Sequence, residues 1–162
     1  MEPADTLRTL FNHNLWANLR LLERCAELTS EQLDATAPGA YDSIHATLQH
    51  IVTAEQWYFS RICTGQPPNR LADAPPMTMA EMAESLRETG SGLIEWAPKV
   101  QADDTVELDW EGSPRLVPKT IILVQAINHA TEHREQIKAI LTELGIEPPD
   151  LQSWQYFDEM DH

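Results

Sequence analysis

The sequence contains few basic residues, only two cysteines and no long apolar run, and each scarcity excludes a class of protein. Its 162 residues include 26 aspartates and glutamates but 11 lysines and arginines, which gives a formal net charge of −15. Duplex nucleic acids and anionic membranes are bound mainly through basic side chains, so we expect neither as a partner. No stretch approaches the roughly 20 apolar residues that a membrane-spanning helix needs.

The N-terminus and the cysteines indicate a cytoplasmic protein. The segment from Met1 to Asp5 is acidic and lacks the apolar core of a signal peptide. Cys25 and Cys63 lie far apart within helical patterns, and two cysteines do not form the disulfide framework of a small secreted domain. We therefore expect two buried thiols in a reducing compartment, with a disulfide between them as the less favoured alternative.

Proline and glycine are concentrated between four long segments that have the pattern of amphipathic helices. Apolar residues recur with the helical period in each segment, and the four run from Asp5 to Leu28, Ser43 to Thr64, Thr78 to Trp96 and Pro118 to Leu144. Helices of this length bury their apolar faces best in a four-helix bundle. With 42% hydrophobic residues, the chain has enough apolar material for a core. We predict an all-α fold class and one domain over residues 1–162.

Two shorter stretches depart from the long-helix pattern. Thr105 to Trp110 alternates between polar and apolar residues, and Glu111-Gly112-Ser113 is typical of a turn. This stretch predicts a small hairpin or extended segment before the last long helix. The C-terminal tail, Trp154 to His162, is acidic but contains three aromatic residues, so we expect a short docked helix there.

Two histidines at helical spacing are the strongest functional signal. His129 and His133 are four residues apart, so they lie one turn apart on a face that they share with Ile122 and Ala126. Two imidazoles in this arrangement can bind one metal ion. The alternative is a pair of partly buried core histidines, each hydrogen-bonded without a metal.

A third histidine can complete such a site. His50 flanks the apolar arc of the second long helix, where it can face the last helix inside a bundle, whereas His45 lies on the polar stripe and is expected to be solvated. His13 lies off the apolar face of the first helix. Three neutral imidazoles would leave one or more coordination positions open, which is the arrangement of a catalytic metal site.

Two other patterns have competing interpretations. Residues 129–133 literally match H-x-x-E-H, the inverted zincin motif, in which Glu132 would be the general base. Only 29 residues follow His133, too few for a further ligand and a substrate cleft, so we interpret Glu132 as a solvated charge. Asn14 and Asn18 lie on the apolar face of the first helix and must be hydrogen-bonded, either between helices or near a polar site.

Three segments together resemble the DinB-like (DinB/YfiT) family. They follow one another at family-like intervals over nearly the whole chain, and they are Phe11 to Asn18, His50 to Trp57 and Asn128 to Ile137, with Leu144-Gly145 and paired prolines after them. The resemblance implies an up-down-down-up four-helix bundle, often dimeric. It also implies a divalent metal, often zinc or nickel, bound by His50, His129 and His133. The sequence departs from many members at Glu132 and Glu135, where they have histidine and glycine.

The functional hypothesis combines the histidines with this resemblance. Characterised relatives include thiol-dependent transferases and isomerases, so we expect an enzyme that acts on a small molecule, in which the metal binds a low-molecular-weight thiol as the nucleophilic thiolate. A homodimer is expected as well. The alternatives are hydrolysis by metal-bound water, a non-catalytic metal-binding or stress-related module, and a metal-free bundle. No catalytic base can be assigned.

Overall fold

A computed structural model describes residues 3–69 and 75–160 of the protein. Met1, Glu2 and residues 70–74 lie outside the described part, as do the last two residues of the tail, Asp161 and His162. The helices in the described part are α1 (Pro3–Cys25), α2 (Ser30–Leu33), α3 (Ile44–Thr64), α4 (Met79–Trp96), α5 (Lys119–Glu143) and α6 (Ser153–Met160). A 3₁₀ turn over Ala97–Lys99 follows α4, and strands β1 (Thr105–Trp110) and β2 (Ser113–Pro118) precede α5.

Capping residues set the ends of two of the long helices. Ser43 accepts a hydrogen bond from the backbone N–H of Ala46 at the start of α3, and Gly65 ends that helix in the left-handed conformation. Thr78 and Glu81 form a capping box at the start of α4. These caps explain why the predicted boundaries of α3 and α4 differ from the observed ones by at most one residue.

The four long helices pack in a closed series of neighbours. Helix α1 contacts α4 and α5, and α3 contacts the same two helices. Their apolar faces form one large cluster around Leu21, Ile51 and Ile137, and a second cluster lies towards the hairpin, around Phe11 and Leu93. The expectation of a mainly helical chain is confirmed, with the hairpin as a small antiparallel sheet beside the helices.

The predicted hairpin is present and is attached to the helices on both sides. Strands β1 and β2 pair antiparallel through a two-residue turn, Glu111-Gly112, in which both residues have positive φ. Lys119, the first residue of α5, donates its backbone N–H to the carbonyl of Asp104 and its Nζ to the carbonyl of Ile62. Lys119 therefore fixes the start of α5 relative to the end of α3 and to the residue that precedes β1.

The expected docked helix in the tail is α6, which packs on α1. Its Glu159 carboxylate accepts hydrogen bonds from Trp16 Nε1 and from Arg20. The ring of Tyr156 meets those of His13 and Trp16 at 5.7 and 5.5 Å, and His13 Nε2 lies 2.8 Å from the carbonyl oxygen of Leu151. His13 therefore takes part in the packing of the C-terminal segment on α1.

Neither cysteine forms a disulfide, and no helix in the described part of the chain is long and apolar enough to cross a membrane. Cys25 is buried in the large cluster, and burial raises the pKa of its thiol to about 12. Cys63 is half-buried at the end of α3, and burial raises the pKa of its thiol as well. Both thiols are therefore kept protonated and poorly nucleophilic near neutral pH.

Candidate metal centre

Three histidines from two helices converge at one point. His50 of α3 meets His129 and His133 of α5, and one ring nitrogen from each lies within 4.8 Å of the other two. The Nε2 atoms of His50 and His129 are 2.9 Å apart, and the three ring centroids are separated by 4.4 to 4.8 Å. The candidate ligands that the sequence predicted are thus together in space.

Helical geometry and the packing of α3 on α5 produce this arrangement. His129 and His133 project from the same face of α5, one turn apart, towards α3. His133 is buried, with 8% of its surface exposed, whereas His50 and His129 are half-buried. The group therefore lies at the edge of the core, where a small molecule can approach it.

The surroundings favour neutral imidazoles. Burial is the main cause that lowers the pKa of His129, to about 4, and the neighbouring His133 and His50 lower it further. Burial and the proximity of His133 also lower the pKa of His50. A neutral imidazole keeps a nitrogen lone pair available, so these rings can bind a metal ion without first losing a proton.

Tyr41 and Gln136, which the sequence did not indicate as site residues, contact the histidines. The ring of Tyr41 stacks on His50 with the centroids 4.2 Å apart and an interplanar angle of 11°, and its centroid lies 5.2 Å from that of His133 at an interplanar angle of 73°. Gln136 Oε1 lies 2.8 Å from His133 Nδ1. Gln136 could have been found from its position three residues after His133 on the same helix, whereas Tyr41 lies in a loop and carries no periodic signal.

A cleft of about 300 Å³ opens beside His50. No aspartate, glutamate, lysine or arginine is among its described lining residues, which are Tyr41, His45, Ala46, Gln49, His50, Thr53 and Pro76. Two side chains of α3 hold the segment at one wall of the cleft. His45 Nε2 lies 2.9 Å from the carbonyl oxygen of Met77, and Gln49 Oε1 accepts the backbone N–H of Met77. The polar stripe of α3 was expected to be solvated, but it fixes the segment before α4.

A second cluster of polar side chains is buried between the four long helices. The carboxylate of Glu55 accepts hydrogen bonds from Thr89 Oγ1 at 2.6 Å and from the amides of Asn14 and Asn18 at 3.3 Å. The oxygen atoms of the same two amides accept hydrogen bonds from Arg134 at 2.8 and 2.7 Å. The asparagines therefore connect a buried carboxylate with a buried guanidinium, and all four long helices contribute to the group.

The inverted zincin interpretation finds no support in the position of Glu132. Its side chain is exposed on α5, whereas the two flanking histidines face α3. Arg134, two residues further along α5, is buried, because helical rotation directs it towards α1.

The donor set fits a divalent transition metal. Neutral imidazole suits zinc, nickel and similar ions, and three imidazoles leave at least one position of a tetrahedral ion for a further ligand. The cluster of three is the candidate metal-ligating group within residues 3–69 and 75–160. His50, His129 and His133 are consequently the residues that would bind such an ion.

Two comparisons with known proteins found matches that cover most of the chain. A family model described as "DinB family" matches residues 2–160. Among solved structures, the chain is similar to a DinB-like protein from Bacillus cereus ATCC 10987, with 24% sequence identity and a TM-score of 0.60 over 86% of this chain and 91% of that one. No curated protein matches the chain significantly. At this identity the structural likeness bears on the fold alone.

Proposed function

The chain belongs to the DinB family, and we propose that it is a divalent-metal-dependent enzyme acting on a small molecule, with His50, His129 and His133 as the metal ligands. The observation that carries the proposal is the convergence of three imidazole nitrogens within 4.8 Å at the edge of the core. Zinc or nickel is the proposed metal, because neutral imidazole suits both. A divalent ion in this position would lower the pKa of a bound thiol or water towards neutrality.

The cleft beside His50 supports a small substrate. It has a volume of about 300 Å³ and adjoins one of the three proposed ligands directly. Tyr41 covers one face of His50, and Gln49 and Thr53 offer hydrogen-bonding groups along the wall. These residues would bind and orient a substrate next to the ion while Tyr41 shields part of the site from water.

Thiol-dependent transfer or isomerisation is the reaction that we propose. The resemblance of the three sequence motifs to thiol-dependent relatives supports it, and both cysteines of the chain have raised thiol pKa values, so the nucleophile would be an external low-molecular-weight thiol. The contacts among α1, α3, α4 and α5 support a four-helix bundle, and the resemblance of the sequence motifs supports its up-down-down-up course. We also propose a homodimeric, cytoplasmic protein.

The metal site is tested by metal content. We expect the tag-free protein, after supplementation with zinc or nickel and dialysis, to retain about one ion per chain. His133→Ala and His129→Ala should retain no stoichiometric metal, whereas His13→Ala, which removes a histidine outside the cluster, should retain as much as the unmodified protein. Absence of stoichiometric metal from the unmodified protein would contradict the proposal.

The reaction class is tested by turnover. The metal-loaded protein is incubated with several cellular thiols and an electrophile, and thiol consumption is followed with His133→Ala as the control. Turnover that depends on both the thiol and His133 supports thiol transfer. Metal-dependent hydrolysis of ester or amide substrates without a thiol would favour the metal-bound water, and no turnover of either kind would favour a non-catalytic metal-binding module.

A further inference from the structure

Gln136 occupies a position that links a proposed ligand to the loop over the site. It lies on α5, and its Oε1 atom lies 2.8 Å from His133 Nδ1 and accepts the backbone N–H of Tyr41 at 3.2 Å. A backbone N–H can only donate, so the amide atom that faces both groups is the oxygen. His133 Nδ1 consequently faces an acceptor and must carry the proton.

This assignment has a consequence for the other nitrogen of the ring. A neutral imidazole with its proton on Nδ1 has its lone pair on Nε2. A hydrogen bond from the second ring nitrogen to a carbonyl-type oxygen is the usual device that orients a metal-binding histidine and raises its basicity. Gln136 supplies such an oxygen from the same helix.

The other partner of Gln136 is the loop residue that covers the site. The ring of Tyr41 stacks on His50 at 4.2 Å, although 53% of the residue is exposed. A half-exposed ring on an irregular loop needs an anchor to keep this position, and the hydrogen bond from its backbone N–H to Gln136 provides one. A single amide oxygen thus holds the imidazole of His133 and the backbone of Tyr41.

We propose that Gln136 is a positioning residue that fixes the metal-binding tautomer of His133 and couples metal binding to closure of Tyr41 over the site. Ordering a glutamine side chain costs rotamer entropy, and here this entropy is lost once for two hydrogen bonds. Whichever partner binds first therefore places the oxygen for the other. Coupling of this kind is reciprocal, so the ion stabilises the closed loop and the closed loop strengthens binding of the ion. The inference rests on the proposed metal site.

The first test measures the affinity for Zn²⁺ alone. Gln136→Met keeps the length of the side chain and removes the acceptor, so the dissociation constant should rise about 10- to 100-fold. Gln136→Glu restores an acceptor oxygen and should bring the affinity back to within a few-fold of the unmodified protein. Gln56→Met is the matched control: it removes the half-buried hydrogen bond from Gln56 to Ser85 between α3 and α4 and should leave the affinity unchanged. Equal zinc affinity of Gln136→Met and the unmodified protein would overturn the inference.

The second test follows the loop without any activity assay. Hydrogen exchange of the Tyr41 backbone amide should slow when zinc is added to the unmodified protein and should not respond to zinc in Gln136→Met. In the metal-free proteins, ¹⁵N spectra of the imidazoles should show His133 protonated on Nδ1 in the unmodified chain and a mixture of tautomers in Gln136→Met. Equal slowing at Tyr41 in both proteins, or unchanged tautomers, would count against the role of Gln136.

The two failures are distinguishable. If the unmodified protein binds no zinc, the proposed metal site fails, and the metal-free exchange and tautomer measurements still decide whether Gln136 holds His133 and Tyr41. If the unmodified protein and Gln136→Met bind zinc equally, the metal site stands and the positioning role of Gln136 fails.

Discussion

Arg134 carries its guanidinium into the interior, where only 3% of the residue is exposed. It donates to Asn14, Asn18 and Thr131, and burial lowers its pKa to about 10 despite the nearby charge of Glu55. Above the pKa of Glu55, its carboxylate and this guanidinium are two buried charges joined through two amides, and removal of one leaves the other uncompensated in a poorly polarisable interior.

Arg134→Met is therefore expected to lower the free energy of unfolding by about 3–5 kcal/mol. Urea denaturation at pH 8 measures the change, and Arg134→Met combined with Glu55→Gln should recover part of the loss because the uncompensated carboxylate is then absent. A loss below about 1 kcal/mol in the single variant would show that the network does not depend on the guanidinium.

Glu55 makes the stability of the protein depend on pH. Burial raises the pKa of its carboxyl from 4.5 to about 7, while Thr89, Arg134 and Asn14 act in the opposite direction. Between these two values the folded protein keeps a proton that the unfolded chain has released, so this group makes the folded state less stable as the pH rises.

The predicted effect is a difference in unfolding free energy, which changes with pH, between the unmodified protein and Glu55→Gln. From pH 4.5 to 7 the unmodified protein should lose unfolding free energy relative to Glu55→Gln, whose side chain does not titrate. Parallel urea titrations at several pH values measure this difference, and the contributions of other groups cancel. A difference that stays constant over the window would show that the carboxyl titrates near its ordinary pKa.

Residues of the site differ in how far the sequence reveals them. The spacing of His129 and His133 and the position of His50 at the edge of an apolar arc are local signals, and the structure brings these three residues together. Asn14 and Asn18 stand out as amides on an apolar face, but Glu55 and Arg134 look like ordinary surface charges. Their burial depends on contacts between residues up to 120 positions apart, which no local pattern contains.

At the scale of elements, α1 and α4 approach each other at a glycine. A Cβ atom added to Gly90 would lie 2.7 Å from Leu15 Cδ1, 3.1 Å from its Cγ and 3.2 Å from its Cβ. The Cβ atom of Leu15 is fixed by the backbone of α1 and cannot rotate away. The close packing of these helices therefore depends on the missing side chain.

Gly90→Ala should lower the free energy of unfolding by about 1–3 kcal/mol, because α1 must move to accommodate the methyl group. The usual effect of this substitution inside a helix is a gain of about 0.5–1 kcal/mol. Ser91→Ala, at the exposed neighbouring position, is the control and should change stability by less than about 0.5 kcal/mol. Chemical denaturation compares the three proteins, and a gain in Gly90→Ala would contradict the close contact.

The hairpin turn contains a glutamate in a backbone conformation that another residue would adopt more readily. Glu111 has a φ of 52° and precedes Gly112 at 84°. Asparagine adopts this left-handed conformation more readily than glutamate, so Glu111→Asn should stabilise the protein by up to about 1 kcal/mol. Gly112→Ala should destabilise it, and thermal unfolding of both variants measures the two effects. A destabilised Glu111→Asn would mean that the glutamate side chain contributes more than its backbone costs.

Elements with strong local signals are the ones that the sequence predicts well. The caps Ser43 and Thr78 and the turn at Glu111-Gly112 place α3, α4 and the hairpin almost to the residue. Helix α2 was missed because four residues are too few to show a period. The contacts of His45 and Gln49 with Met77 were missed because they depend on the path of a loop 28 or more residues away.

At the scale of the whole molecule, acidic repulsion opposes the folded state. The net charge is −15, and the ion pairs of the described residues, such as Lys99 with Glu95, are largely exposed and contribute little each. Composition gives this charge directly, whereas the sequence alone does not determine how the chain assembles with further copies.

Added salt is therefore expected to stabilise the protein. Raising sodium chloride from about 0.02 to 0.3 M shortens the screening length to well below 10 Å and should raise the midpoint of thermal unfolding. A variant that neutralises two exposed acids of α4, Glu84→Gln with Glu88→Gln, should show a smaller response to salt. An unchanged or lower midpoint for the unmodified protein would show that the acidic charges are already compensated in the folded state.

The position of the three histidines along the chain also bears on the stability of the folded state. His50 and His129 are 79 residues apart in sequence, yet their Nε2 atoms lie 2.9 Å apart. An ion bound by both would act as a reversible cross-link that closes most of the chain between α3 and α5 into a loop. Because such an ion would bind the folded chain and leave on unfolding, its stabilising effect would follow mass action and grow with the ratio of free metal concentration to the dissociation constant. Metal supply would then set the stability of the folded protein in addition to its chemistry.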